Sequence, residues 1–412
     1  MAALPRGLRA LLTPSPNDIV LLSALRTPVS RAKKGPFRDA HDHELLATVL
    51  RATLAANPSL DPASISDVQI GTVLSELGGS KAGRMAALHA GVPHTAGFAT
   101  VNRACSSGLA AVTGVAQGIA LGSIEVGIGG GMESMSRNYG SRAIPTALWE
   151  GLRNSENKDA RDCIMSMGLT AENVAERYGV SRADQDAFAV ESHTKAAKAQ
   201  KEGLFDEEIV ETKVHVRPDP TVPEQVEEVV ATKDDGIRPG STVEKLAGMK
   251  PAFKEGGTAT AGNSSQVSDG AAAVLMMRRS TATKLGLEKN ILAKWAGTVT
   301  VGCKPDEMGV GPAVAIPRLM EYTGINIEDV GIWEINEAFA SQALYCIRTL
   351  GVDMQKVNPK GGAIALGHPL GATGARQLAT LLPELRRQDE RLGVVSMCIG
   401  TGMGMASLIV RE

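Results

Sequence analysis

Four side chains far apart in the sequence have the types needed for acyl chemistry: Cys105, Asn336, His368 and Cys398. Cys105 stands in TVNRACSSGLAAVTGVAQGIAL (100–121), where a β-prone segment passes through a small-residue turn into a helix rich in Ala, Val and Gly. A cysteine at the first turn of a helix meets unsatisfied N–H groups and the positive end of the dipole, which favour thiolate over thiol. Such a sulfur can attack a carbonyl, and His368 supplies a base for its proton with a pKa near the working range. The charge that then develops on oxygen calls for aimed donors, and Asn336, His368 and the backbone amides of the turns at Cys105 and Gly400 are suited to it. Cys398, at the ordinary cysteine pKa of about 8.5, suits proton transfer to or from carbon or sulfur. Two cysteines and a histidine could also form a redox pair, although the chain contains no CxxC.

The elements that must position these groups are legible as repeats. Ile65, Asp67, Val68 and Ile70 in ISDVQI match Ile327, Asp329, Val330 and Ile332 in IEDVGI, each displaced by 262. His368, in AIALGHPLGATGARQLATLL, lies 263 positions after Cys105, and the GIGGGM that ends at Met132 is matched by CIGTGM ending at Met403, displaced by 271. Three landmarks in one order at nearly constant offset predict two copies of a βαβ-type domain. Equivalent turns in two related halves would place Cys105 and His368 at helix N-termini facing a shared junction, with Asn336 and Cys398 on corresponding turns of the second copy.

Between the copies, from about residue 137 to 262, the chain is more charged. It holds two amphipathic helices (169–177 and 182–201) and the polar stretch PDPTVPEQVEEVVATKDDGIRPG, as expected of an insertion carrying ligand contacts. The predicted organisation is an N-terminal arm (1–17), a first half (18–136 with 263–287), the insertion (137–262) and a second half (288–412). Asp18 to Leu25 reads as a strand covered on both faces, SDGAAAVLMM as a strand-like segment and EVGIGGGMESMS as a strand ending in a glycine run.

Composition narrows the function classes. Charged residues make up 21% of the 412, net charge is −2 and aromatics are 3%, so neither nucleic acid nor an anionic membrane surface is an expected partner. No apolar run of about 18 residues is found, which predicts a soluble chain without a membrane span. Five scattered cysteines argue against a disulfide framework or zinc site and for a reducing compartment, with Cys163, Cys303 and Cys346 structural. His41 and His43 open a helix without further ligands nearby and read as solvated, not metal-binding. Met132, Met135, Met308 and Met403 are expected to pack around the site. The first 16 residues, with two Arg, no acid and a Pro-rich end, read as a short targeting peptide or a disordered arm.

NRACSSGLAAV, TAGNSSQVSDGAA, NEAFASQA, NPKGGAIALGHPLGATGARQ and CIGTGMGMA resemble, in order and spacing, the signature blocks of the thiolase family, and DDGIRP and NSSQVSDGA look most like its peroxisomal 3-ketoacyl-CoA branch. The resemblance runs from Asn17 to the C-terminus. It implies an α/β, five-layer αβαβα fold built from duplicated halves with an inserted loop domain. It also implies thiolysis of 3-ketoacyl-CoA by CoA, with no cofactor beyond CoA as co-substrate, in a homodimer or homotetramer. Cys105 would carry the acyl group, His368 would activate it and Cys398 would be the general acid/base. Asn336, through a bound water, and His368 would form one oxyanion hole, and the amides of Cys105 and Gly400 the other.

By the same resemblance the insertion would bind CoA, with Arg238 near the nucleotide, Phe253 beside the adenine or pantetheine and Ser265 on the pantetheine amide; Met167 and Phe339 complete the expected substrate contacts. Thiolases that prefer acetoacetyl-CoA carry a histidine before the Met-Gly of this block. The chain has Ser166-Met167-Gly168, which implies a degradative enzyme of broader chain length rather than an acetoacetyl-CoA thiolase. Decarboxylating ketoacyl synthases use a histidine where Asn336 stands, and a non-catalytic lipid carrier would have lost one of Cys105, His368 or Cys398. Similarity implies a peroxisome, with mitochondrion or cytosol as alternatives, since neither an N-terminal peroxisomal signal nor a C-terminal SKL is present.

Overall fold

The duplication seen in the sequence reappears as duplicated hydrogen bonding. The computed structural model describes residues 6–139, 143–219, 221–222 and 224–412. In chain order its strands are β1 (Ile19–Arg26), β2 (Ser30–Arg31), β3 (Ile65–Gly71), β4 (Gly97–Val101), β5 (Val126–Ser134), β6 (Thr212–Val216), β7 (Glu227–Ala231), β8 (Ser268–Arg278), β9 (Ala293–Gly302), β10 (Ile332–Ile335), β11 (Leu392–Ile399) and β12 (Met403–Arg411). In the first half β3 runs parallel to β4 and β5, and β8 runs antiparallel to β5 and β1. In the second, β10 is parallel to β11 and β12 is antiparallel to β11 and β9. Val357, bridged in parallel to Trp333 of β10, stands where β4 stands in the first half. Antiparallel pairing of β1 with β9 (Ile19 with Trp295, Leu21 with Ala293) joins the halves into one ten-stranded sheet, β2 pairing at its side with β8.

The repeat is real in topology but looser in register than the sequence suggests. ISDVQI is strand from its first residue, whereas IEDVGI opens as a 3₁₀ turn (Ile327–Asp329) and becomes strand only at its last residue.

Side-chain alternation explains the layers. Along β8, Ala271, Ala273, Leu275 and Met277 face one core while Ala272, Val274 and Met276 face another, so the strand is apolar throughout. The first core is closed by two outer helices, Asp42–Ala55 through Leu45, Leu46, Val49 and Leu50, and Ser80–Ala90 through Ala86, Ala87 and Ala90. The second is filled by two central helices, Ser107–Leu121 from the first half and Thr373–Arg387 from the second, whose Leu109, Val112, Val115, Leu378 and Leu381 share one core with Val395, Met397 and Met405 of the second half. A third core, with Trp333, Ile335, Val394 and Leu408, is covered by helices Gly311–Thr323 and Ala340–Leu350. Helix, sheet, helix, sheet, helix is the resulting order, and the two central helices bring the Cys105 and His368 turns to one junction.

The segment between β5 and β8 does more than hang from the first half. Phe188 and Ala189 of helix Arg182–Lys201 join the third core, and Val214, Val216 and Ala231 of the β6–β7 ribbon join the first. Two acids of the segment also make a buried charge cluster. Glu208 accepts from Arg26 of β1 (2.7 Å), Lys360 (2.6 Å) and Thr380 (2.8 Å), while Asp234 receives both terminal nitrogens of Arg26 (2.7 and 2.9 Å). Arg26 and Lys360 lie over the Phe205 ring, 5.4 and 5.0 Å from its centre.

Three expectations change. Residues 6–17 are not a disordered arm: Leu11 of the short helix Leu8–Leu12 is fully buried, Gly7 N–H donates to Thr323 O (2.7 Å) and Lys294 donates to Thr13 O (2.9 Å). Residues 1–5, the start of the expected targeting peptide, lie outside the described residues. The glycine run 129–131 sits inside β5, paired on both sides, because glycine lets Val112 of the first central helix and Gly371 of the facing turn approach the strand. Finally, Ala104–Leu121 is long and apolar enough to cross a membrane, yet 67% of it is buried as the core of the central layer.

Candidate active site

Cys105 sits in a strained turn between β4 and the first central helix. Ala104 has φ 44°, and Ser107 ties the turn by accepting from Arg103 N–H (2.9 Å) and donating to Ala104 O (2.6 Å). The thiol is 2% exposed, packed with Leu74, Met135 and Leu370. The N–H groups of Gly400 and of Cys105 itself are directed at its sulfur. Leu370 stands two residues beyond His368, so the two predicted turns do meet. Glycine makes this possible: a Cβ on Gly108 would lie 2.7 Å from Gly371 O, and one on Gly371 would lie 2.6 Å from the Cα of Thr72.

His368 is 4% exposed and Asn336 is 1% exposed. The Asn336 Nδ2 lies 3.3 Å from His368 Nε2, and His368 Nδ1 lies 2.7 Å from Thr373 Oγ1. Asn336 follows β10, its N–H donating to Ser396 O of β11 (2.9 Å), and its Oδ1 is buried with no partner among the described residues. Cys398, fully buried near the end of β11, packs with Met308 and Ala338, and its thiol lies within the electrostatic reach of Cys105.

Burial changes the protonation expected of these groups. It pushes the Cys105 thiol up to about 11, opposed by the Gly400 and Cys105 N–H groups and reinforced by the Glu133 carboxylate. The helix end therefore does not make Cys105 a resting thiolate, because removing a sulfur from water outweighs the amides aimed at it. Burial, then the neighbouring Cys105, raises Cys398 well above its ordinary value. Burial, then Arg376, pushes His368 down to about 3. The resting site is neutral, with two thiols and an unprotonated imidazole.

Met167, at the start of helix Met167–Tyr178, packs against both the Cys105 and the Cys398 clusters and so spans the two sulfurs. Phe339 joins the Cys398 side and meets Phe253 edge-to-face at 5.8 Å. Phe253 is 41% exposed and leans on Gly168, where a Cβ would lie 2.1 Å from its ring. Ser265, half-buried, donates its N–H to Ala338 O (3.0 Å) beside this wall. Arg238 is exposed, with its N–H on His193 Nδ1 (3.2 Å); it stands two residues past Gly236, whose carbonyl accepts from Gln266 (2.9 Å). Gln266 in turn accepts the His368 N–H (3.1 Å). Met135 and Met308 line the site as expected, whereas Met132 belongs to the first core and Met403 leans on the central one. His41 caps the helix Asp42–Ala55 and His43 pairs with Asp42 (3.0 Å).

Three polar partners escaped the sequence reading. Thr373 orients His368, and its signal is only a hydroxyl at the start of a helix. Glu337, beside Asn336, accepts from Ser192 (2.7 Å), Asn358 (2.8 Å) and the Ile364 N–H (3.2 Å). Glu133 is an acid inside an apolar, glycine-rich strand, and that oddity was its signal.

Two family descriptions divide the chain between them: Thiolase, N-terminal domain, over residues 19–280, and Thiolase, C-terminal domain, over residues 289–411. The chain belongs to the thiolase family. A relative in Yarrowia lipolytica, the peroxisomal 3-ketoacyl-CoA thiolase, is 52% identical over 407 residues, 99% of this chain and 96% of the relative. The dimeric peroxisomal thiolase of Saccharomyces cerevisiae superposes with a TM-score of 0.89 at 45% identity, covering 98% of this chain and all of that one. A second structure of the yeast enzyme (TM-score 0.78, 41% identity, 98% and 100% covered) is described as five-layered A-B-A-B-A, built from two core domains of identical topology. This thiolase has the same order of layers.

Proposed function

We propose that this thiolase cleaves 3-ketoacyl-CoA with CoA, giving acetyl-CoA and a shortened acyl-CoA, as one step of peroxisomal fatty-acid β-oxidation. Near-full-length similarity to enzymes named for that reaction and compartment supports the reading. The observation that carries it is the convergence of Cys105, the Gly400 amide, the Asn336–His368 pair and Cys398 in one buried junction between the halves.

In the first step His368 Nε2 takes the Cys105 proton as the sulfur adds to the 3-keto carbon. The oxyanion is met by the N–H groups of Cys105 and Gly400. The C2–C3 bond then breaks, leaving the acyl group on Cys105 and an enolate of acetyl-CoA. The enolate oxygen faces protonated His368 and a water held by Asn336, whose unpartnered Oδ1 is the group free to orient it. Cys398 gives its proton to C2, and acetyl-CoA leaves. Incoming CoA passes its thiol proton to Cys398 and attacks the acyl-cysteine, and Cys105 departs and is reprotonated. All steps run on the chain's own groups and CoA, which is a substrate.

The insertion (137–262) serves the CoA tail: Phe253 and Phe339 give an apolar wall for pantetheine, Ser265 a polar contact and exposed Arg238 a charge for the phosphates. We also propose a homodimer. Strand β4 ends the sheet, pairing only with β3 among the described residues, and Leu77 and Met85, which precede it in the chain, are 88% and 70% exposed. Steady-state thiolysis of acetoacetyl-CoA against a long-chain 3-ketoacyl-CoA tests the function. Preference for the long chain supports it and the weight given to Ser166. Preference for acetoacetyl-CoA assigns the enzyme to C4 chemistry, and inactivity on both removes the assignment.

A further inference from the structure

Glu133 occupies an unusual position for an acid. It lies on β5 with no exposure, and its two oxygens accept three backbone N–H groups: Val73 (3.0 Å) and Gly371 (2.9 Å) on Oε2, and Leu74 (3.1 Å) on Oε1. Val73 and Leu74 belong to the first half, and Leu74 shares the small buried cluster that holds Cys105. Gly371 belongs to the second half and closes the turn that carries His368. One side chain thus fastens the floor under the nucleophile to the turn that carries its base, across the junction of the two halves. Hydrogen bonds from N–H groups to a carboxylate are charge-assisted and stronger than neutral ones, and a carboxylate supplies only acceptors, which is what three converging N–H groups need. An apolar side chain there would take the side-chain acceptor away from all three N–H groups.

We infer that Glu133 is a positioning residue for acyl transfer, acting through the alignment of His368 with Cys105 and not by touching substrate. The other end of the same turn is held in like manner, the Ile364 N–H donating to buried Glu337 (3.2 Å), so the His368 segment is pinned from both halves. The inference rests on the roles given above to Cys105 and His368.

The test is a double-mutant cycle on the full chain. Glu133→Gln keeps shape but turns one acceptor into a donor facing an N–H. Because a misplacement of about 1 Å at a reacting pair costs on the order of 10²-fold, kcat for thiolysis should fall by about that factor with KM for CoA nearly unchanged. Combined with His368→Ala, it should add little to the loss caused by His368→Ala alone, since both remove one alignment. Losses that multiply, or a rise in KM that accounts for the effect, would overturn the inference. Glu133→Asp, which keeps the charge but is one carbon short, guards against a variant that does not fold: it should show a smaller kcat loss with the same non-additivity, and wild-type kcat in it also counts against the idea. If His368→Ala alone leaves turnover intact, the role of His368 fails and the inference falls with it, whereas losses that multiply on top of a crippled His368→Ala overturn the inference alone.

Discussion

The ring of His368 is held from both sides, with Nδ1 2.7 Å from Thr373 Oγ1 and Nε2 3.3 Å from Asn336 Nδ2. The Thr373 hydroxyl already donates to Pro369 O (2.9 Å), so toward the ring it accepts. That assigns the proton to Nδ1 and makes Nε2 the unprotonated nitrogen, whose one lone pair accepts the Asn336 N–H and must be released from it to take the Cys105 proton. A ring that swaps tautomer loses the ability to take a proton at Nε2. Thr373→Val is therefore expected to lower kcat by about tenfold, part of the roughly 10²–10⁴ that a general base supplies, while KM for the acyl substrate holds. Steady-state kinetics check it, and an unchanged kcat would show that the tautomer is set elsewhere.

The pH dependence of Cys105 should report its burial. With the thiol at about 11, the thiolate fraction grows tenfold per pH unit through the neutral range and does not level near the ordinary 8.5. Inactivation of the free enzyme by iodoacetamide should accordingly keep rising beyond pH 9. His368, held near 3, stays neutral across pH 5–8, so no acid limb from its protonation is expected there. A plateau between pH 8 and 9 would mean that the Gly400 and Cys105 amides outweigh desolvation.

Glu208 gives a stability prediction. Burial favours its neutral form, but Lys360 and Arg26 hold its pKa below the ordinary value. A depressed carboxylate stabilises the fold fully above its unfolded pKa of about 4.3, and that contribution is lost as pH falls through the folded value. Removing one member of a buried ion cluster costs about 3–5 kcal/mol, since its partners remain buried without their charge. Glu208→Gln should lower Tm clearly at pH 7, and the gap to wild type should narrow as the pH is taken below 4. A gap independent of pH would show that packing, not charge, sets the loss.

Much of the candidate site was legible because the chemistry proposed for it resides in rare residue types set in glycine-rich turns. Cys105, His368, Asn336 and Cys398 could be found from type and order, and the two-copy pattern placed them at one junction. What stayed hidden depends on burial. The neutral state of Cys105 and His368 follows from how completely the two halves close over them, which no local pattern records. Thr373, Glu133 and Glu337 are ordinary residues whose importance lies in partners 5 to 238 positions away. The arm around Leu11 looked disordered because its anchors, Thr323 and Lys294, come from the other end of the chain.

Cys398 allows the two half-reactions to be separated. In the proposed scheme it moves protons on carbon and on CoA, whereas addition of Cys105 to a carbonyl needs only His368 and the amides of Cys105 and Gly400. Cys398→Ala should therefore still form an acyl-enzyme from a ready-made acyl-CoA thioester, visible as a mass increase on the Cys105 peptide. Thiolysis should fall by about 10²–10⁴, the range for a lost general acid–base. Cys105→Ala should abolish both. Met167 bridges the two sulfurs, so a Cys398→Ser variant, which keeps the packing, separates cavity effects from chemistry: serine is a far weaker acid, and its thiolysis should stay close to that of the alanine variant. Near-normal turnover in either Cys398 variant would remove it from the proton path and leave His368 to serve both half-reactions.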